Sequence, residues 1–198
     1  MAVLLGLAVL VGGCGTAPDD GPTVVVPGRP GEQAQVLSGS EAAERRSPVP
    51  VSPADVEFVE AMIPHHRQAL EMAGLAAERA TSPQVRGLAA RIDAVQGPEI
   101  AVMEAWLARQ ELFTGHHGGM DVLHAGMLTP AQFDELAAAR GPAFDRLFVA
   151  FMTAHHEGAI AMAGEVAVAG TDITVGEIAQ DVVVTQTAEI DRMRGLAT

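Results

Sequence analysis

The sequence predicts an all-α protein: a four-helix bundle built from two repeated helical hairpins. Helix-starting patterns recur along the chain, and no segment alternates convincingly between apolar and polar residues as a half-buried strand would. Residues 55–103 match residues 145–193 at a constant separation of 90 positions, without a gap. Apolar residues make up 48% of the chain but aromatic residues only 4%, which favours closely packed helices.

Most of the predicted helices begin with a capping residue followed by proline, which suits the first turn of a helix. These starts are Ser52-Pro53, Ser82-Pro83, Thr129-Pro130 and Gly141-Pro142, and Asp172 caps the last helix one repeat after Ser82. Asp55 completes a capping box with Ser52. The predicted helices span residues 53–80, 83–112, 130–140, 142–169 and 173–195.

The long helices pair into two hairpins, and a long crossover that carries the short helix joins them. One long crossover between two hairpins is the connection found in ferritin-like folds. We therefore expect residues 52–198 to form a single bundle domain.

The N-terminus predicts export and lipid anchoring. Residues 1–14 ("MAVLLGLAVLVGGC") form an apolar run of signal-peptide length, too short to span a bilayer, and the run ends at Cys14 in a sequence resembling a bacterial lipobox. Residues 15–51 are rich in Pro, Gly and Ser, which is typical of a flexible linker. Lipidation of Cys14 would anchor the bundle to the outer face of the bacterial membrane. The alternative is a disordered apolar N-terminus with a chance cysteine.

Charge and cysteine content narrow the function classes. The formal net charge is −13 and the chain has no lysine, so we expect no nucleic-acid partner. Cys14 is the single cysteine, which excludes an intramolecular disulfide. The sequence identifies no protein partner, and the membrane is expected to be contacted only through the lipid.

The repeat places the same cluster of histidines and methionines on both hairpins. The two segments read "FVEAMIPHHRQALEMAG" (residues 58–74) and "FVAFMTAHHEGAIAMAG" (residues 148–164). At 100° per residue, the His and Met side chains fall on the half of the helix that faces the bundle. The candidate metal ligands are Met62, His65, His66, Met72, Met152, His155, His156 and Met162. The alternative is a duplicated structural feature, because duplication also copies core residues.

The second helix of each hairpin carries polar and thioether groups at the same level. Counting outward from the turn between Thr81 and Ser82 places them beside the histidines. A carboxylate or amide there would orient a ligating imidazole. The residues predicted to surround the metal ligands in this way are Gln96, Glu99, Met103, Gln186, Glu189 and Met193.

The crossover holds a further His/Met group in the glycine-rich segment "TGHHGGMDVLHAGM" (residues 114–127). Short His-rich tracts are typical of metal binding, and a core has no need of histidine there. The candidates are His116, His117, Met120, His124 and Met127. The alternative is a polar loop with chance histidines.

The donor set favours copper as the bound metal. Thioether and imidazole together suit Cu(I), and imidazole alone also accepts Cu(II). Zinc has no use for the methionines. Di-iron bundles use Glu-x-x-His motifs, and none occurs here. We expect sequestration or transfer of copper without enzymatic turnover. A scaffold with structural histidines and a redox enzyme with a bundle metal remain the alternatives.

The doubled Met-x-x-His-His-x-x-Ala-x-x-Met-Ala pattern resembles domain-of-unknown-function family 305. "MIPHHRQALEMA", "FDRLFVAFMTAHHEGAIAMA" and the intervening "GML" carry the resemblance, which covers roughly residues 53–195. It implies a ferritin-like bundle, exported in bacteria, with some members being periplasmic copper-binding proteins linked to copper tolerance. The eight ligands of the repeat carry over by motif, whereas those of the variable crossover do not.

Overall fold

The protein is predominantly helical, as predicted. The computed structural model describes residues 23–45, 51–110 and 123–196. The long helices are α2 (Pro53–Arg79), α3 (Pro83–Arg109), α5 (Gly141–Ala169) and α6 (Ile173–Leu196), with the short α4 (Pro130–Ala138) before α5. The N-terminal part holds β1 (Val24–Val26), β2 (Gln35–Leu37) and α1 (Gly39–Arg45). None of the helices in these ranges is long and apolar enough to cross a membrane.

The helix starts agree with the sequence prediction because the predicted caps are made. The side-chain oxygen of each capping residue accepts a hydrogen bond from the backbone N–H three residues later. The pairs are Ser52–Asp55 at 3.1 Å, Ser82–Val85 at 3.4 Å, Thr129–Gln132 at 3.3 Å and Asp172–Val175 at 3.1 Å. Helix α5 starts without such a bond, since its N-cap is Arg140. Helix α3 ends at Arg109; residues 111–112 of its predicted span lie outside the described ranges.

The N-terminal unit contains a small sheet that the sequence analysis missed. Strands β1 and β2 pair antiparallel, with Val24 opposite Leu37. The expectation of no sheet is therefore wrong for this segment. Each strand has only three residues, too few for an apolar/polar alternation to be recognised. The role of residues 15–51 as a linker stays a prediction.

The four long helices enclose two separate apolar clusters. Helix α2 packs on α3, α5 packs on α6, and the α2–α5 contact joins the two hairpins. One cluster combines the C-terminal half of α2 with the N-terminal half of α5 and includes Phe144, Phe148 and Leu88. The other combines the opposite halves and includes Phe58, Ile63 and Trp106. Both clusters end near the middle of each long helix.

Two repeat-equivalent aspartates fasten each hairpin to the turn of the other. Asp55 accepts hydrogen bonds from the backbone N–H groups of Thr171 (3.0 Å) and Asp172 (3.1 Å) at the α5–α6 turn. Asp145 accepts from the backbone of Thr81 (3.2 Å) and Ser82 (2.9 Å) at the α2–α3 turn. The two clamps are therefore reciprocal.

Asp55 is the more deeply buried of the two, with no exposed surface. Burial acts to raise the pKa of this carboxyl, but the hydrogen bonds from Thr171, Ser52 and Asp172 outweigh it, and the pKa is lowered. Asp55 therefore stays ionised in the folded bundle at neutral pH.

We expect Asp55→Ala to lower the free energy of unfolding by about 3 kcal/mol, because the donors it satisfies are left unpaired in a buried site. The half-buried Asp145 is the matched control, and Asp145→Ala should cost only about 1 kcal/mol because water can replace the lost acceptor. Urea unfolding followed by circular dichroism measures both. An equal loss of unfolding free energy in the two variants would contradict the expectation that the more deeply buried clamp contributes more stability.

Candidate metal centre

A layer of buried polar side chains lies between the two apolar clusters, at the midpoint of the long helices. Its members share near-complete burial, at 3% exposure or less. They are His65 and His66 of α2, Gln96 of α3, His155 and His156 of α5, and Gln186 and Glu189 of α6. Six of the seven form three pairs related by the 90-residue repeat. The layer is thus a duplicated feature of the bundle core.

The two histidine pairs converge at one place. The rings of His65 and His155 lie with their centroids 3.8 Å apart and their planes tilted by 42°. The rings of His155 and His156 are 6.3 Å apart. Because His65 and His155 are equivalent in the repeat, their contact places them near the pseudo-two-fold axis that relates the hairpins. The sequence left open whether there would be one site or two.

Each second histidine of a pair contacts a carboxylate from the partner helix of its hairpin. His66 Nε2 lies 2.8 Å from Glu99 Oε2, and His156 Nε2 lies 2.7 Å from Glu189 Oε2. The Glu189 side chain is 4% exposed, whereas Glu99 is 21% exposed. The contacts are equivalent in the repeat but differ in access to water. That these carboxylates tune a metal ligand stays a prediction.

Hydrogen bonds fix which nitrogen of three imidazoles carries the proton. His65 Nε2 lies 3.0 Å from the backbone carbonyl of Ala125, which can only accept. The carboxylates facing His66 and His156 also only accept when ionised. All three histidines therefore donate from Nε2, so Nδ1 carries the lone pair in the neutral form of each ring. His155 differs, because neither of its nitrogens has a hydrogen-bond partner among the described residues.

Many polar atoms of the layer are buried without a partner in the part of the chain that the structure describes. They are the Nδ1 atoms of His65, His66, His155 and His156, the Nε2 of His155, and both amide atoms of Gln96 and Gln186. A buried polar atom without a partner costs about 1–3 kcal/mol. An arrangement this costly fits a site where imidazole lone pairs serve as ligands.

Methionines border the layer on both sides. Met62 and Met103 belong to one apolar cluster, and Met72, Met152 and Met193 belong to the other. All five have no exposed surface. Met162, the repeat equivalent of Met72, is instead only partly buried. It lines a surface pocket of about 580 Å³ together with His124. The predicted thioether ligands are thus equivalent in sequence but not in environment.

The crossover candidates divide into two groups. His116, His117 and Met120 lie outside the described residues. His124 is half-buried and Met127 is 9% exposed. The segment from His124 to Leu128, which we call the strap, forms a turn closed by a 3.1 Å hydrogen bond from Met127 N–H to the His124 carbonyl. The structure brings the strap to the histidine layer through the contact of Ala125 with His65.

The residues that hold the strap are not among those predicted from the sequence. The Gln68 amide donates to the Leu128 carbonyl at 3.0 Å and accepts from the Leu128 N–H at 2.7 Å. On the other side, Gly158 of α5 lies against Ala125 and Gly126. Gln68 and Gly158 occupy equivalent positions, so a mismatch in the repeat was the available signal.

The described residues hold no group of three His, Cys, Asp or Glu side chains already arranged to hold a metal ion. Methionine is outside that set of residue types. An ion in the layer would therefore draw on thioethers as well as imidazoles, or require imidazole rotation. His155 is the imidazole whose rotation breaks no hydrogen bond of its nitrogens.

Burial keeps the central imidazoles neutral. The pKa of His65 is lowered to about 3, chiefly by desolvation and also by the neighbouring imidazoles of His66, His156 and His124, although the hydrogen bond to Ala125 acts to raise it. The pKa of His155 is also lowered well below its usual value, first by desolvation and then by His65, His156 and His66. A neutral imidazole is the form that binds a metal.

We expect the metal-free protein to lose stability as the pH falls from 6.5 to 5. Below pH 6.5 the unfolded chain protonates His65 and His155 whereas the folded bundle does not, so acid favours unfolding. Each histidine contributes up to about 1.4 kcal/mol per pH unit. His155→Leu should reduce the slope and raise the stability at neutral pH. Met152→Leu is the buried control and should leave the slope unchanged. Urea titrations with a chelator present measure the effect, and an unchanged slope in His155→Leu would contradict it.

Comparison with known proteins places the fold in a family. The family described as Domain of unknown function (DUF305) matches residues 55–197. The crystal structure of a putative secreted DUF305 protein from Streptomyces coelicolor is 30% identical with a TM-score of 0.65, over 72% of this chain and 91% of that one. A DUF305 fragment from Deinococcus radiodurans is 33% identical with a TM-score of 0.65, over 75% and 98% of the two chains.

Structures of the protein CopM are also similar. CopM in its Cu(I)-bound form is 29% identical with a TM-score of 0.59, over 72% of this chain and 94% of that one. Its Cu(II)-bound form has the same identity and TM-score, over 72% and 96%. A search of curated proteins found no match. The family match covers most of the chain and the solved DUF305 structures share its fold, so this chain belongs to the DUF305 family.

Proposed function

We propose that this protein binds copper, with Cu(I) preferred, in the histidine layer of the bundle. Its role would be copper sequestration or tolerance outside the cytoplasm, without chemical turnover. The observation that carries the proposal is the set of five imidazole nitrogens that are fully buried and have no hydrogen-bond partner among the described residues. A purely structural histidine would normally be satisfied by neighbouring groups.

The surroundings of those nitrogens favour a soft, singly charged ion. Buried thioethers lie on both sides of the layer, and thioether sulfur with neutral imidazole is a donor set suited to Cu(I). The buried carboxylate of Glu189 is hydrogen-bonded to His156 Nε2. CopM, which shares the fold at 29% identity, has been solved with Cu(I), with Cu(II) and with silver. Silver(I) has the soft-ligand preference of Cu(I), so the range of ions fits this donor set.

The chain's own residues would prepare the ligands before the ion arrives. Ala125, Glu99 and Glu189 hold three imidazoles with Nδ1 free, and burial keeps His65 and His155 unprotonated. His155 has no such restraint and can turn toward an ion. These are the features expected of a site that captures a metal and retains it.

A helical scaffold with structural histidines is the second candidate. The ring contact between His65 and His155 and the two His–Glu contacts favour it, since they join all four long helices. This alternative predicts that apolar replacement of the layer changes stability but not copper binding.

We expect replacement of His65, His66, His155 and His156 by Leu to weaken Cu(I) binding by about a hundredfold or more, because the imidazole ligands are removed while the packing is retained. The control replaces His116, His117 and His124 by Ala, which leaves the layer intact. Changing Met62 and Met152 to Leu should weaken Cu(I) binding more than Cu(II) binding, because thioethers are soft ligands. Competition with a Cu(I) chelator measures Cu(I) binding by all three variants, and competition with a Cu(II) chelator measures Cu(II) binding by the Met variant. Equal copper retention by wild type and the Leu variant, with the crossover histidines also removed, would favour the scaffold.

The proposed setting is a lipid anchor at Cys14 on the outer face of the membrane. We expect the protein, expressed with a complete export signal, to partition into membranes after loss of residues 1–13. Cys14→Ser should remain unlipidated, because the thiol that carries the lipid is gone. Membrane fractionation and the mass of the mature N-terminus measure this. A wild-type protein that stays in the cytoplasm would contradict the anchor.

A further inference from the structure

Resting on the proposed function, we infer that Gln68 and Gly158 are positioning residues that seat the strap over the histidine layer. The seated strap fixes the tautomer of His65 and controls how fast a metal ion reaches and leaves the site. The strap is the segment His124–Leu128 defined above.

Gln68 acts on the α2 side by pairing with the strap backbone. Its amide makes two hydrogen bonds to the same residue, one to the Leu128 carbonyl at 3.0 Å and one from the Leu128 N–H at 2.7 Å. Both atoms of the amide are used, and both Gln68 and Leu128 are buried. Among the described residues, the Gln68 side chain therefore makes its hydrogen bonds to the strap and to no other element of the bundle.

Gly158 acts on the α5 side by having no side chain. A Cβ atom at this position would overlap the carbonyl group of Ala125 and the Cα of Gly126. Gly126 is the third residue of the turn and adopts φ +80°, a conformation that glycine adopts without strain. A Cβ at Gly126 would in turn meet the backbone carbonyl of Ala154. The backbone of α5 and the backbone of the strap are therefore in direct contact, with no side chain between them.

The contact has a direct consequence for the site. Only a seated strap places the Ala125 carbonyl 3.0 Å from His65 Nε2, which leaves Nδ1 of His65 as the ligating atom. The same segment lies against the backbone carbonyl of His155, whose ring contacts that of His65. Both rings have no exposed surface. An ion can therefore reach the His65–His155 pair from this face only when the strap lifts.

The test compares Gly158→Ala, Gln68→Leu and the control Gly164→Ala in the full-length protein. Gly164 lies on the same helix, is exposed and has open space around it, so alanine there disturbs nothing. Gln68→Leu removes both hydrogen bonds to Leu128 without a steric clash, so it tests the same idea if Gly158→Ala folds poorly.

Two readouts are made on metal-free protein. Nitrogen-15 spectra of the histidines report the tautomer of His65, and diethylpyrocarbonate labelling mapped by mass spectrometry reports the access to His65 and His155. We expect Gly158→Ala and Gln68→Leu to lose the single Nε2–H tautomer of His65. Both should label at His65 about tenfold faster than wild type, because the contacts that close the strap are lost. Gly164→Ala should match wild type in both.

The third readout is the release of Cu(I) to a chelator by stopped-flow mixing, expected to be about tenfold faster in both strap variants. Labelling and tautomer equal to those of Gly164→Ala would overturn the inference. So would faster labelling with an unchanged release rate, since the strap would then not control exchange. Failure of all the proteins to bind copper would overturn both the proposed function and the inference that the strap controls metal exchange. Altered labelling would then show that Gln68 and Gly158 still hold the strap.

Discussion

The bundle depends on one constraint: a layer of imidazoles and amides crosses the middle of its apolar core. In the described residues, this layer separates two clusters that would otherwise form one continuous core. Unpartnered polar atoms at this depth oppose folding, so the apolar halves and the hydrogen-bonded turns must supply the stability. The aspartate clamps serve this need, because they fasten the hairpins to each other on either side of the layer, at the hairpin turns.

Duplication explains why the layer is so nearly symmetric, and the strap explains where the symmetry fails. A single segment that crosses a pseudo-two-fold face cannot meet both halves in the same way. The position it contacts is accordingly Gln68 in one hairpin and Gly158 in the other. A similar inequality affects Glu99 and Glu189, which make the same contact at 21% and 4% exposure. The two halves therefore share the same candidate ligands but differ in their access to water.

The sequence predicts local structure and the composition of the layer well, because both arise from short-range patterns. The caps at Ser52, Ser82 and Asp172 are made by residues three positions apart, so a linear pattern reveals them. The constant 90-residue repeat likewise reveals which side chains are equivalent. The strands β1 and β2 escape prediction because three residues are too few to show alternation.

What the sequence does not predict is contact between distant segments. The meeting of His65 with His155 depends on how the two hairpins pack, which no spacing within one hairpin determines. The pairing of Gln68 with Leu128 joins residues 60 positions apart, and only the exception in the repeat hints at it. The same long-range packing decides the chemistry of the site, since the Ala125 carbonyl selects the free nitrogen of His65. Equivalent motifs in one chain can therefore differ in their surroundings through a single asymmetric neighbour, here the strap.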